Sequence, residues 1–283
     1  MAAKRKFLVT AAVWAATVAG LAGCSTGGEL KAEGSVGKKD AVAAATTKAS
    51  DDPFGGLGAD QIADKAVAAT KEAASIRMAG RVVSDGEPLT FDFAVDTKGA
   101  CTGKLGMKGG RAELLQVNKV LYMKGDAKFW DASLGAEAKG LTSLLKGRWL
   151  KVPAGTAGDM DGVCNLRAML DGMDKDKSDR RGMTRGPDAE VDGRPAVTLV
   201  KKKAGGRSTT MFVAKEGEPY LLKVVKTGGD EPGTIVFSEY NKPVKAVAPP
   251  ADEIVDLQDL STDAAAVAAL DLDLGKAFGG TSA

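Results

Sequence analysis

The chain has 283 residues with 39 basic and 37 acidic side chains, a formal net charge of +2, and no histidine. That balance does not indicate a nucleic-acid-binding protein. The absence of histidine excludes Ser-His-Asp and Cys-His catalysis in their usual forms, and most zinc sites.

The N-terminus has the pattern of a bacterial export signal. Residues 4–6 (Lys-Arg-Lys) precede an uncharged, mostly apolar run at 7–21, shorter than the ~20 residues of a spanning helix. The run ends in Leu-Ala-Gly-Cys at residues 21–24, which matches the lipobox of lipoprotein signals. We therefore expect residues 1–23 to be removed as a signal peptide. Cys24 would carry a diacylglycerol that anchors the protein to the outer face of the plasma membrane after general export. The alternative is an ordinary secretory signal with a chance cysteine.

Two thiols remain after lipidation, Cys101 and Cys164. An extracytoplasmic compartment lacks the glutathione pool that keeps thiols reduced, so we expect these two residues to form a disulfide. The loop-entropy model credits such a crosslink with about 4 kcal/mol. The alternative is two free buried thiols. No Cys-x-x-Cys spacing is present, which argues against redox catalysis.

The predicted elements begin after a tether. Residues 24–58 are rich in Gly, Ala, Lys, Ser, Thr and Asp, a composition typical of a disordered linker with a span of roughly 30 Å. Apolar residues at helical spacing predict a helix over 59–75. Residues 89–95 alternate apolar and polar side chains, the clearest strand pattern in the chain. Further strands are predicted at 76–84, 101–107, 112–117 and 120–124, joined by tight turns.

The second half of the chain contains helices and then more strands. Helical patterns at 128–145 and 160–173 flank a strand at 148–152, and a polar loop is predicted at 174–181. Strands then resume at 189–191, 196–201, 209–214, 220–226 and 234–240. This order predicts one α+β domain over 59–258, a large antiparallel sheet with helices packed on one side. The acidic, Ala-rich residues 259–283 are predicted to be a flexible tail.

Enzymatic motifs are weak. A Ser-x-x-Lys pattern at 143–146 lacks the Ser-Asp-Asn partner of penicillin-binding enzymes, and no carboxylate pair stands out as catalytic. The acidic run at 171–179 lacks the glycine and the closing glutamate of a calcium loop. We therefore expect no enzymatic activity, no metal and no cofactor, although carboxylate or Ser-Lys chemistry stays open as an alternative.

The order of several short phrases resembles a known family. These phrases stand at residues 75–82, 99–105, 112–115, 120–124, 147–152, 237–244 and 247–254. Over about residues 59–258 the chain is similar to the LppX/LprG-type lipoproteins of actinobacteria, which share the fold of the lipoprotein carriers LolA and LolB. The resemblance implies a strongly curved antiparallel half-barrel with helices on its concave side. It also implies an apolar cavity that can hold acyl chains.

The resemblance leads to a functional expectation. The protein would be a non-enzymatic lipoprotein that binds or carries lipids or lipoglycans. Candidate cavity-lining residues are Phe91, Phe93, Leu114, Met123, Val197, Met211 and Leu222, and the alternative for each is ordinary core. The alternative function is a filled-core interaction or sensor module for another envelope protein. We expect a monomer that contacts the membrane through its anchor.

Overall fold

The computed structural model describes residues 52–134, 139–152, 162, 164–175 and 177–256. Cys24, the predicted signal peptide, most of the predicted tether and the predicted tail lie outside these residues. Within them, the helices are α1 (Ala59–Lys71), α2 (Ala127–Leu134), α3 (Lys139–Leu145), α4 (Leu166–Lys175) and α5 (Lys177–Arg180). The strands are β1 (Ser75–Ser84), β2 (Glu87–Asp96), β3 (Cys101–Met107), β4 (Gly110–Val117), β5 (Val120–Gly125), β6 (Trp149–Val152), β7 (Thr184–Arg185), β8 (Ala189–Val191), β9 (Arg194–Lys202), β10 (Ser208–Ala214), β11 (Leu221–Thr227), β12 (Gly233–Ser238) and β13 (Ile254–Asp256).

All of these strands join one unclosed sheet. Its order is β13-β6-β5-β4-β3-β2-β1-β12-β11-β10-β9-β7, and β8 also pairs with β9. Neighbouring strands are antiparallel except β6 and β13, which are parallel. The meander β1–β5 and the meander β9–β12 meet where β1 pairs with β12, at the middle of the sheet. The predicted α+β class, a curved and mostly antiparallel sheet with helices, is confirmed.

The two faces of the sheet differ in polarity because side chains alternate along each strand. In β2, Leu89, Phe91, Phe93 and Val95 are buried in the main core. We call this face of the sheet the inner face. The helices pack on it in two groups: α1 contacts β7, β10 and β11, whereas α2 contacts β4 and β5. The opposite, outer face of β2–β5 carries an alternating row of charges, Asp92, Lys104, Glu113 and Lys124.

α1 begins at Ala59 as predicted, whereas its C-terminal end and the start of the packed domain differ from prediction. The helix ends at Lys71 rather than at residue 75, because Ser75 is already paired with Asp96 in the β1–β2 ladder. The packed part of the chain also begins before residue 59. Phe54 is buried in the main core, and the Asp52 carboxylate forms an ion pair with Arg185 at 2.7 Å. The last residues of the predicted tether therefore belong to the domain.

The region around α4 was predicted least well. The helix begins at Leu166 rather than at residue 160, directly after Asn165, whose side chain accepts a hydrogen bond from the Ala168 N–H. The predicted loop at 174–181 is wrong, because α4 continues to Lys175 and α5 follows. Helix α5 is held by Arg180, whose buried guanidinium donates to Asp64 of α1 at 2.8 Å. A contact between distant segments of this kind leaves no local sequence pattern.

Candidate functional site

Six of the seven predicted lining residues lie together on the inner face. They are buried members of the main core: Phe91, Phe93, Leu114, Met123, Val197 and Met211. Leu222 does not join them. A register shift between β10 and β11 leaves Leu221 in the main core, whereas Leu222 packs in a small outer-face cluster with Val191, Ala196 and Ala214. Leu222 therefore lies apart from the other six candidates, because a bulge changes which side chains share a face.

The middle of the inner face is filled by side chains. Met78, Phe93, Gly103 and Leu114 are paired in sequence across β1–β4. A Cβ on Gly103 would lie 1.8 Å from Cδ1 of Phe93, so the phenyl ring occupies the space that the glycine leaves. This part of the surface is packed as densely as an ordinary protein core.

Helix α2 is seated on two glycines. A Cβ on Gly110 would lie 2.2 Å from the backbone nitrogen of Phe129, and one on Gly125 would lie 2.5 Å from the Phe129 ring. The Phe129 and Trp130 side chains are fully buried there, with their ring centroids 5.1 Å apart in an edge-on arrangement. The Trp130 Nε1 has no hydrogen-bond partner among the described residues. These contacts fix α2 over one end of the sheet.

Between the two helix groups the inner face is less covered. Val82 of β1, Met107 of β3, Val224 of β11 and Ile235 of β12 are half-buried apolar residues that pack against the main core. Gly80 lies among them, because it pairs with Ile235 on one side and with Phe91 on the other. We call this surface the central trough. Sequence reasoning missed it, although the alternating pattern of β1 and β12 could have placed these side chains on the core face.

The described surface also carries open depressions. Three of them have volumes of about 320, 450 and 850 Å³. The largest lies over the charged row on the outer face of β2–β5, and Phe91 borders it. Asp92 and Lys104, and then Glu113 and Lys124, face each other across neighbouring strands there. Opposite charges in such cross-strand pairs stabilise the sheet modestly.

The predicted disulfide is present. Cys101 on β3 and Cys164 before α4 are bonded, with their Cα atoms 5.4 Å apart, and both are fully buried. The bond ties the N-terminal end of α4 to the inner face of the sheet. Cys24, the predicted lipidation site, lies outside the described residues. No helix in the described part of the chain is long and apolar enough to cross a membrane.

Ion pairs and hydrogen bonds stabilise the strands and helices around the site. Arg77 donates two hydrogen bonds of 2.8 Å to Asp92, and this lowers the pKa of the Asp92 carboxyl. The backbone N–H groups of Gly182 and Met183 donate to Asp60, which lowers the pKa of its carboxyl. Burial raises the pKa of the Tyr240 hydroxyl. All three groups are therefore held in their neutral-pH charge states by the fold.

Comparisons with known proteins give similarities of structure alone. No protein-family model matches the chain, and no curated protein sequence does. The crystal structure of the Mycobacterium tuberculosis lipoprotein LppX is similar, with 15% identity, 66% of this chain and 97% of that one covered, and a TM-score of 0.43. LprF from Mycobacterium bovis is 15% identical, with 68% and 97% covered and a TM-score of 0.45. The Pseudomonas aeruginosa MucA/MucB complex is 15% identical, with 69% and 59% covered and a TM-score of 0.32. LppX, a lipoprotein of the type that the sequence resembles, is thus among the solved structures to which the chain is similar.

Proposed function

We propose that this protein is a non-enzymatic lipoprotein, anchored to the outer face of the plasma membrane through Cys24, that holds the acyl part of a lipid or lipoglycan in the central trough. The observation that supports the proposal most is the trough itself. Val82, Met107, Val224 and Ile235 leave apolar surface partly exposed on the inner face of the sheet, beside residues that are buried in the main core.

The dimensions of the trough suit a hydrocarbon chain. Neighbouring strands are spaced by about 4.8 Å, so the five strands from β11 to β3, over which the trough residues lie, span about 19 Å. An acyl chain lying there would gain about 0.8 kcal/mol for each methylene removed from water. A group of partly exposed apolar residues on one face often marks a binding site.

The lipid anchor is supported by the sequence. The lipobox at residues 21–24 and the linker-like composition after it would hold the domain within a few tens of ångströms of the bilayer. At that distance the domain can take up or release amphiphiles that are nearly insoluble in water. A chain without histidine lacks the side chain that general acid–base catalysis uses most often.

The test compares two substitutions on neighbouring residues of β12. Ile235 faces the trough and Val236 the outer face, and both are half-buried. Native mass spectrometry of the unlipidated domain, incubated with a fatty acid and then desalted, should show bound fatty acid for the wild type and for Val236→Asp. It should show none for Ile235→Asp. Ile235→Trp, which fills the trough without adding charge, should also abolish binding if the aspartate variant does not fold.

The proposal fails if the folded, delipidated wild type takes up no fatty acid, or if Ile235→Asp and Ile235→Trp bind as well as the wild type. The second candidate function, a filled-core interaction or sensor module for an envelope protein, would then be favoured. One observation supports that candidate: the Phe93 ring fills the gap at Gly103, so the middle of the inner face has no room for a ligand. Equal melting temperatures for the variants would show that lost binding is not lost folding.

A further inference from the structure

Two lysines and a threonine lie side by side at the margin of the inner face. Thr209 of β10 pairs directly with Lys201 of β9 on one side and with Lys226 of β11 on the other. Leu199, Met211 and Val224, two residues away on the same three strands, belong to or pack against the main core. Because side chains alternate, Lys201, Thr209 and Lys226 point to the inner face as well. We call these three residues the lysine row.

The lysine row has the chemistry of an anion site. Across two strand spacings the lysine Cα atoms are about 10 Å apart, so both ammonium groups can reach one phosphate-sized group between them. Thr209 is 6% exposed, whereas Lys226 is exposed. The Lys201 ammonium already donates to the Ser178 carbonyl oxygen, which holds its side chain in place and leaves two further N–H donors.

The nearby carboxylates do not neutralise both lysines. Asp60 is the acidic residue close enough to Lys201 for their charges to interact, and it also accepts the Gly182 and Met183 N–H groups. Asp230 and Glu231 lie in the turn after β11, and neither forms an ion pair with Lys226 within the described residues. The exposed end of the row therefore keeps a net positive charge.

The lysine row is continuous with the central trough. From Lys226 the cross-strand pairing runs to Gly233 of β12, then to Val82 of β1, Leu89 of β2 and Met107 of β3. The Lys226 and Val82 backbones are thus about two strand spacings, roughly 10 Å, apart. Along one margin of the sheet the surface changes from cationic to apolar over that distance. An amphiphile presents the same change between its headgroup and its acyl chain.

We propose that the ligand of the central trough is an amphiphile with an anionic headgroup, a phosphate-bearing lipid, whose charge is bound by Lys226 and Lys201. This inference rests on the proposed function and deepens it by assigning the class of lipid. Lys226 is the more accessible contact, and Thr209 adds a hydroxyl between the two cations.

The experiment uses two lipids with the same acyl chains whose headgroups differ in net charge. Dihexanoyl phosphatidylglycerol and dihexanoyl phosphatidylcholine would be titrated below their critical micelle concentrations, so that no bilayer is present, and binding would be followed by native mass spectrometry or tryptophan fluorescence. We expect the wild type to bind the anionic lipid about fivefold more tightly. The Lys226→Gln variant should bind the anionic lipid only as tightly as the wild type binds the zwitterionic lipid. Its affinity for the zwitterionic lipid should equal that of the wild type. Glycerol phosphate, which has no acyl chain, should compete poorly.

Lys223→Gln is the matched control. Lys223 lies on the same strand but on the outer face, where its ammonium stands 5.5 Å from the centre of the Phe212 ring. This variant should keep the wild-type preference. Equal affinity of the wild type for both lipids, or an unchanged preference in Lys226→Gln and Lys201→Gln, would overturn the inference and leave the acyl-binding proposal standing. Absence of binding to either lipid would overturn both. Binding to anionic vesicles with none to the monomeric lipids would show a membrane-docking surface instead, and would also overturn it.

Discussion

Replacing Gly110 with alanine tests whether α2 is seated as the structure shows. The φ angle of Gly110 lies outside the left-handed region, so alanine there has a steric cost rather than a backbone cost. Its Cβ would stand 2.2 Å from the Phe129 nitrogen, where ordinary contact begins at 3.4 Å. Helix α2 would therefore have to move by about 1.2 Å, and overpacking of this kind costs about 1–3 kcal/mol. Because Phe129 and Trp130 are fully buried beneath the helix, we expect the upper end of that range.

Urea unfolding followed by tryptophan fluorescence measures this cost. With a slope of about 2 kcal/mol per molar urea, a loss of 3 kcal/mol lowers the midpoint by about 1.5 M. Gly172→Ala in α4 is the control, because nothing lies within 4 Å of its Cβ position, and it should stabilise the protein by about 0.5–1 kcal/mol. A Gly110→Ala variant within 0.5 kcal/mol of the wild type would show that α2 does not contact β4 at this point.

Three further predictions concern the disulfide, a buried hydroxyl and an acidic group. Cys164→Ala should lower the free energy of unfolding by up to about 4 kcal/mol, since the crosslink closes a 63-residue separation; a reductant should then destabilise the wild type in urea unfolding but not the variant. Thr70→Val should lower the free energy of unfolding by about 1–3 kcal/mol, because the buried Thr70 hydroxyl accepts a hydrogen bond from the Leu221 N–H at 3.1 Å. Thr70→Ser, which keeps a hydroxyl, should retain most of the wild-type stability. Asp60 has a lowered pKa in the folded state. Its contribution to the free energy of unfolding is therefore fully present above the unfolded pKa near 4 and is lost as the pH falls through the folded pKa. The stability difference between the wild type and Asp60→Asn should therefore be constant above about pH 5 and shrink at lower pH, and a constant difference down to pH 2 would contradict this assignment.

Strands were predicted well because their signal is local. The alternation at residues 89–95 and the turn glycines around it placed β2 and its neighbours within two residues of their observed ends. The short strands β7 and β13 were missed, because these segments become strands only through pairing with β9 and β6. The pairing of Cys101 with Cys164 was predictable from the expected compartment and the cysteine count, without any geometry.

The candidate site was predictable only in part. Six of the seven candidate lining residues lie on the inner face, but Leu221 and Leu222 are adjacent and both buried, so no pattern in the sequence decides which one faces inward. The central trough could not be located either. Its residues look like any core-facing valine or isoleucine, and their partial exposure depends on where α1 and α2 pack. That arrangement depends on close approaches such as the one at Gly110, which are set by tertiary packing.

The inner face is more deeply buried at its disulfide-bonded end than at the opposite margin, and this difference bears on how a ligand would enter. At the end closed by the disulfide, Ile76, Val95 and Cys101 are at most 1% exposed. Two rows further along the strands Phe91 is 7% exposed, and at the margin Val82 and Met107 are half-buried on either side of Leu89, which is 4% exposed. An acyl chain that binds at the margin therefore has to displace fewer packed protein side chains than one that binds at the disulfide-bonded end. The lysine row lies at the same margin, and so does the point where the chain enters the domain, since Asp60 interacts there with Lys201. A ligand that enters from the margin, as proposed, would therefore meet the cationic and half-buried surfaces first and the disulfide-bonded end last.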